Sequence, residues 1–141
     1  MEPALETPFN QISHMAIKVG EKVEVNLVTD STTFMPFILI DGHCRALVMF
    51  DHYMAEKMHV FAERAGEGWS GNGDDWTSFA QILVVEKLFL STEQVTYDSD
   101  ADMFSARGTR SILEKLGFEL QAIFKNDDAI RNLMSRVKVN L

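Results

Sequence analysis

The sequence predicts an α+β fold: an antiparallel sheet of about four to six strands packed on helices, one of them central and buried. Three observations predict it. Residues 12–28 alternate in part with a period near two, two further β-rich runs follow up to residue 50, and turn clusters break them. From His52 onward apolar residues recur at steps of three and four. Two short β-rich runs near residue 100 stand between helical patterns. Strands first, then helices with a hairpin among them, mark an α+β domain.

In chain order, residues 1–10 read as a loose lead-in to a single domain spanning residues 1–141. Ile12 to Val19 is a first strand and Val23 to Val28 a second, with Gly20-Glu21 as the hairpin turn between them. Asp30-Ser31-Thr32-Thr33 is a turn cluster. Phe34 to Ile40 is rich in β-formers, and Pro36 implies an edge strand or a strand that begins after it. Asp41-Gly42 signals a hairpin into Ala46-Leu47-Val48-Met49-Phe50. Next, Met54, Met58, Phe61 and Ala65 form one stripe of a helix that Gly66 ends.

The stretch from Gly66 to Leu88 organises the remainder. Its opening loop holds four of the eight glycines and one of the two tryptophans. Asp74 or Asp75 is expected to cap the following helix by accepting from free first-turn amides. Trp76, Phe79, Ala80, Leu83 and Val84 recur at helical spacing, while Ile82, Val85 and Leu88 fill most other faces. A helix apolar nearly all round is a buried one. Beyond it, Gln94–Tyr97 and Met103–Ala106 read as strands around the acidic turn Asp98 to Asp102. Thr109 caps a helix with Ile112, Leu113, Leu116, Leu120, Ile123 and Phe124 on one face. Asn126 or Asp127 starts a last helix with Ile130, Leu133, Met134 and Val137 inward.

Composition narrows the class. The chain has 141 residues, 46% of them hydrophobic, enough to bury roughly two thirds of its unfolded surface. One cysteine, Cys44, excludes an internal disulfide and fits a reducing, cytoplasmic setting. The start is too polar for a secretory signal, and no apolar run approaches the ~20 residues that cross a bilayer. The net charge of −8 is uneven: residues 1–104 carry 17 acidic and 6 basic side chains, residues 105–141 carry 4 and 7. Such acidity argues against a nucleic-acid partner and suits a cationic protein, although it also serves plain solubility.

Catalytic chemistry is weakly represented. His52, Glu56 and His59 share one face if helical, but lack the compact His-Glu-x-x-His spacing of a catalytic zinc site. His43 and Cys44 are strand neighbours, which point to opposite sides. The glycine loop lacks a Walker lysine, and Glu67, Asp74 and Asp75 oppose an anion there. No cofactor, metal or catalytic residue is expected. Gly68, Gly71, Asn72, Gly73 and Trp76 read as turn geometry and a core anchor. Trp69 either folds back on the core or presents itself to a partner, as interface tryptophans do.

The loop Gly68-Trp69-Ser70-Gly71-Asn72-Gly73-Asp74-Asp75-Trp76, followed by Phe79-Ala80-Gln81, resembles the signature of the immunity protein 51 family. Weaker echoes are Asp98-x-x-Ala101-x-Met103-Phe104-x-Ala106 and a closing Ser135-Arg136, so the likeness runs over roughly residues 50 to 138. Asp74 departs from the pattern, which leads there to an aromatic residue. The resemblance implies a small cytoplasmic α+β immunity protein of a bacterial polymorphic toxin system, the class that includes contact-dependent growth inhibition. Its implied partner is a cognate toxin domain, and the charge pattern suits a basic one such as a nuclease. Glu67, Trp69, Asp74, Asp75, Asp98, Asp100 and Asp102 are then the candidate contacts, because they lie in connecting segments. The competing reading is a small-ligand protein or enzyme using a pocket near the Gly66–Asp75 loop.

Overall fold

The computed structural model describes residues 14–19, 23–42 and 44–137. Its sheet begins as the meander that the alternation predicts. Strands β1 (His14–Val19), β2 (Val23–Asp30), β3 (Ile38–Asp41) and β4 (Ala46–Phe50) each pair antiparallel with the one before. Ile12 and the Gly20-Glu21 turn lie outside the described residues. Asp30 Oδ1 accepts from the amides of Thr32 and Thr33 at 3.1 and 3.0 Å, which turns the chain after β2. Pro36 follows a cis peptide bond and precedes β3, so β3 escapes its restriction and lies inside the sheet.

A helical crossover then leads to the hairpin of β5 (Thr96–Tyr97) and β6 (Met103–Arg107). Strand β6 pairs antiparallel with β4, giving six strands in the order β1-β2-β3-β4-β6-β5. The helix expected after His52 is broken. It consists of α1 (Asp51–Met54), a 3-10 turn at Ala55–Lys57, and α2 (Met58–Ala62), with another 3-10 turn at Ala65–Glu67. Lys57 leaves helical geometry (φ −113°, ψ 2°), which rotates the following turn. Met54 and Phe61 are buried as expected, but Val60 takes the inner position and Met58 and Ala65 are exposed.

Helix α3 (Gly73–Glu86) packs against β6 and against α4 (Arg110–Phe124). Trp76 is fully buried at its centre, with ring centroids of Phe37, Phe61, Phe79 and Phe124 at 5.3–6.0 Å. Phe79, Ala80, Leu83 and Val84 are buried beside it. The expectation of burial on nearly all sides fails: Val85 is 45% exposed, and Gln81 and Glu86 are also exposed. Sheet and α4 cover two sides of α3 and leave a third facing outward. Thr109 caps α4 by accepting from Ile112 N, and Leu113, Leu116, Leu120 and Phe124 line its buried face.

Asn126 caps α5 (Asp127–Arg136), accepting from the Asp128 and Ala129 amides, and Ile130, Leu133 and Met134 point inward. Charges hold α5 to the broken segment. Arg131 reaches Glu63 with two hydrogen bonds of 2.9 Å, and Lys57 meets Asp127 at 2.8 Å. Arg136 pairs with Glu86 on α3. Arg131 holds the Glu63 carboxyl below its ordinary value, Lys57 does so for Asp127, and Arg136 for Glu86.

Two outcomes follow from this packing. Trp76→Ala should lower stability by about 3–5 kcal/mol, the usual cost of truncating a buried aromatic; a thermal melt shifted by only a degree or two would contradict the burial. Carboxylates whose pKa is lowered on folding contribute stability above the unfolded value, about 4, and lose it as pH falls through the folded one. The melting temperature should therefore drop as pH is lowered from 5 to 3, and the Glu63→Gln variant should show a shallower drop.

Candidate functional site

The loop before α3 is built by reciprocal hydrogen bonds. Asn72 is the true N-cap: its side chain accepts from Asp75 N at 2.9 Å. Neither aspartate expected to cap the helix does so. Asp75 instead turns back, and its Oδ2 accepts from the amides of Ser70 and Gly71 at 2.8 and 2.7 Å. Asparagine and aspartate at N-cap and third helical positions thus fold the loop and the helix start into one unit. Gly68 and Gly71 sit at φ 102° and 81°, a region that side-chain-bearing residues rarely adopt.

Trp69 folds back. It is 4% exposed, with its ring 6.0 Å from Phe61 and 5.6 Å from Phe79, so it anchors the loop from beneath and is withdrawn from the candidate contacts. The indole N–H groups of Trp69 and Trp76 find no hydrogen-bond partner, a cost set against the large apolar area each buries.

Gly73 explains how two acidic segments far apart in sequence meet. A Cβ placed on it would lie 2.2 Å from both the Asp100 and the Met103 carbonyl oxygens. Only glycine permits that approach, which seats the β5–β6 turn directly on the start of α3. The Thr77 hydroxyl, one turn along α3, lies 2.6 Å from the Ser99 hydroxyl, which in turn accepts from Ser105 N at 3.0 Å. Within the turn, Asp100 N donates to Met103 O and Asp102 N to Asp100 Oδ1.

Asp74 therefore follows directly on a residue whose backbone touches that of Asp100, and Asp74, Asp98, Asp100 and Asp102 are all exposed. Their charges are not equivalent. Asp98 pairs with Arg107 at 2.9 Å. Glu67 pairs with Arg64, which holds its carboxyl below the ordinary value. Asp75 is half-buried and committed to the loop amides. Asp74, Asp100 and Asp102 have no ion-pair partner among the described residues. The positive end of the α3 dipole lies beside them and offsets part of their mutual repulsion.

Other candidates do not assemble. The break at Lys57 prevents His52, Glu56 and His59 from sharing a helical face, and His59 Nε2 instead lies 3.6 Å from Asp127 Oδ2. Among the described residues no three His, Cys, Asp or Glu side chains converge as a metal site. Cys44 is exposed, and His43 lies outside the described residues. Two clefts lined by described residues, of about 460 and 180 Å³, include no residue of the 66–75 loop. Sequence reasoning did not see that the glycine loop and the acidic turn touch; the signal was Gly73, a glycine inside a helix start with no turn to explain it.

The family model described as Immunity protein 51 matches residues 37–139, which takes in the loop, α3 and the acidic turn. No curated protein and no solved structure matches the chain.

Gly73→Ala should cost at least about 1–3 kcal/mol, because both atoms it strikes are backbone and neither can rotate away. Amide exchange at Asp100 and Asp102 should quicken in the same variant. Unchanged melting and exchange would mean that the turn does not sit on the helix.

Proposed function

This chain belongs to the immunity protein 51 family, and we propose that it neutralises a cognate bacterial toxin domain by binding it through the acidic surface at the start of α3. The observation that supports this reading is the approach of Gly73 to the Asp100 and Met103 carbonyls, which draws Asp74 toward the acidic turn. Carboxylates of one sign gathered on rigid backbone attract a cationic surface and speed encounter with it. A basic toxin domain, such as a nuclease, is the partner this charge suits. Asp74, Asp100 and Asp102 carry most of the attraction, since they lack counter-charges among the described residues. Asp98 contributes after release from Arg107, and Glu67 after release from Arg64. Asp75 and Trp69 act indirectly, by holding the loop in shape.

The test is a charge removal that spares the local hydrogen bonds. In the combined variant Asp74→Asn, Asp100→Asn and Asp102→Asn, asparagine at 100 still offers an oxygen to the amide of residue 102. The fold should survive, since exposed substitutions usually shift stability by about 0.5 kcal/mol or less. Association with the cognate toxin domain should slow about tenfold at low salt, and its salt dependence should flatten. A folded triple variant that associates at the parental rate and protects cells equally would refute the acidic-surface mechanism.

A further inference from the structure

The outward side of α3 does not end at the acidic surface. Asp74, Ser78, Gln81 and Val85 are spaced by four, three and four residues, so they follow one another along a single face. Asp74, Gln81 and Val85 are exposed and Ser78 half-exposed. Ser78, Gln81 and Val85, with Ile82, also form one wall of the 460 Å³ cleft against the end of α5. Just past the end of α3 stands Phe89, which two independent observations single out.

Its backbone is left-handed, at φ 57°, the one positive-φ residue other than glycine among the described residues. That conformation after a helix end belongs to glycine, and a bulky side chain there is disfavoured. Its side chain is 85% exposed, so packing inside the protein does not compensate. Its neighbours hold it in place: Leu88 N donates to Leu83 O and Leu90 N to Val84 O, while both leucine side chains pack on the core. The backbone that carries an aromatic ring into water is thus held on both sides, at a position where glycine would relieve it.

We infer that Phe89 is an apolar anchor that inserts into a pocket on the bound toxin domain, with Val85 at its margin. This rests on the reading that the chain binds such a domain at the start of α3. From Asp74 to Val85 is about 16 Å along the helix axis, and Phe89 follows four residues later, just past the helix end. A standard interface covers about 800 Å² per partner, roughly 30 Å across, so a partner that touches the start of α3 has the reach to cover the far end of the helix, beyond which Phe89 follows. Interface energy concentrates in such preorganised aromatic side chains, surrounded by polar contacts that set orientation and rate. Charge at one end of α3 governs encounter, and the ring at the other governs how long the complex lasts.

The inference predicts two opposite shifts from one substitution. Phe89→Gly should raise the melting temperature of the free protein by a few degrees, as strain is relieved. The same variant should dissociate from the toxin domain at least about tenfold faster, with its association rate and salt dependence unchanged. Phe89→Asn, which tolerates the same backbone, should behave alike in binding. Parental dissociation by both variants overturns the anchor while leaving the acidic-surface reading intact. A lowered melting temperature in both overturns it too, because Phe89 is then structural. If the parent chain itself does not bind the toxin domain, the underlying reading falls and the anchor falls with it.

Discussion

The contact between the Gly73 backbone and the Asp100 and Met103 carbonyls is the constraint on which the upper part of the molecule depends. A helix N-terminus and a hairpin turn approach until no side chain fits between them. That approach fixes where α3 starts relative to β6, and therefore which residues of α3 reach the core. Trp76 enters the aromatic cluster only because the helix begins at this point and at this height above the sheet. The Thr77–Ser99–Ser105 chain then ties the same helix turn to the same strand by hydroxyl and amide groups.

Around that contact the electrostatics are arranged so that negative charge is tolerable. Asp75 is satisfied by two loop amides, Asp100 by the amide of Asp102, and Asp98 by Arg107. The helix dipole favours the remaining carboxylates. Three arginines of the C-terminal third are drawn elsewhere: Arg131 to Glu63, Arg136 to Glu86, Arg110 to Asp41 and Glu114. Sequence-level charge asymmetry is thereby converted into paired regions and an acidic surface with unpaired members. Paired charges contribute little to recognition, and unpaired ones set the field that a partner meets.

Most elements were legible because their signals are local. Alternation placed β2, the Asp41-Gly42 turn signal led into β4, β-rich composition placed β6, β3 begins two residues after Pro36, and Thr109 and Asn126 cap helices as their side chains dictate. Misreadings arose where a local pattern had two solutions. The Met54–Met58–Phe61–Ala65 stripe is a valid helical face, but Lys57 is drawn out of helical geometry toward Asp127 of α5, seventy residues away in sequence. Asp74 and Asp75 are both valid caps, yet Asn72 takes that role because Asp75 is needed by the loop amides. Val85 read as core since periodicity reports apolar character without reporting which sides a neighbour covers.

The amino-acid sequence by itself determined the α+β class, the antiparallel start of the sheet, the helix caps at residues 109 and 126, and the family, because each of these is written in adjacent residues. Tertiary structure alone decided that Trp69 turns inward, that Gly73 meets the backbone at Asp100 and Met103, and that Phe89 stays in water. Those outcomes depend on distances between segments that range from eight residues apart in sequence (Phe61 and Trp69) to thirty (Gly73 and Met103), and on which surfaces are already occupied when each side chain arrives. Such competition for space has no local signature, and Gly73, whose missing side chain lets two backbones touch, is the one residue in which a trace of it can be read.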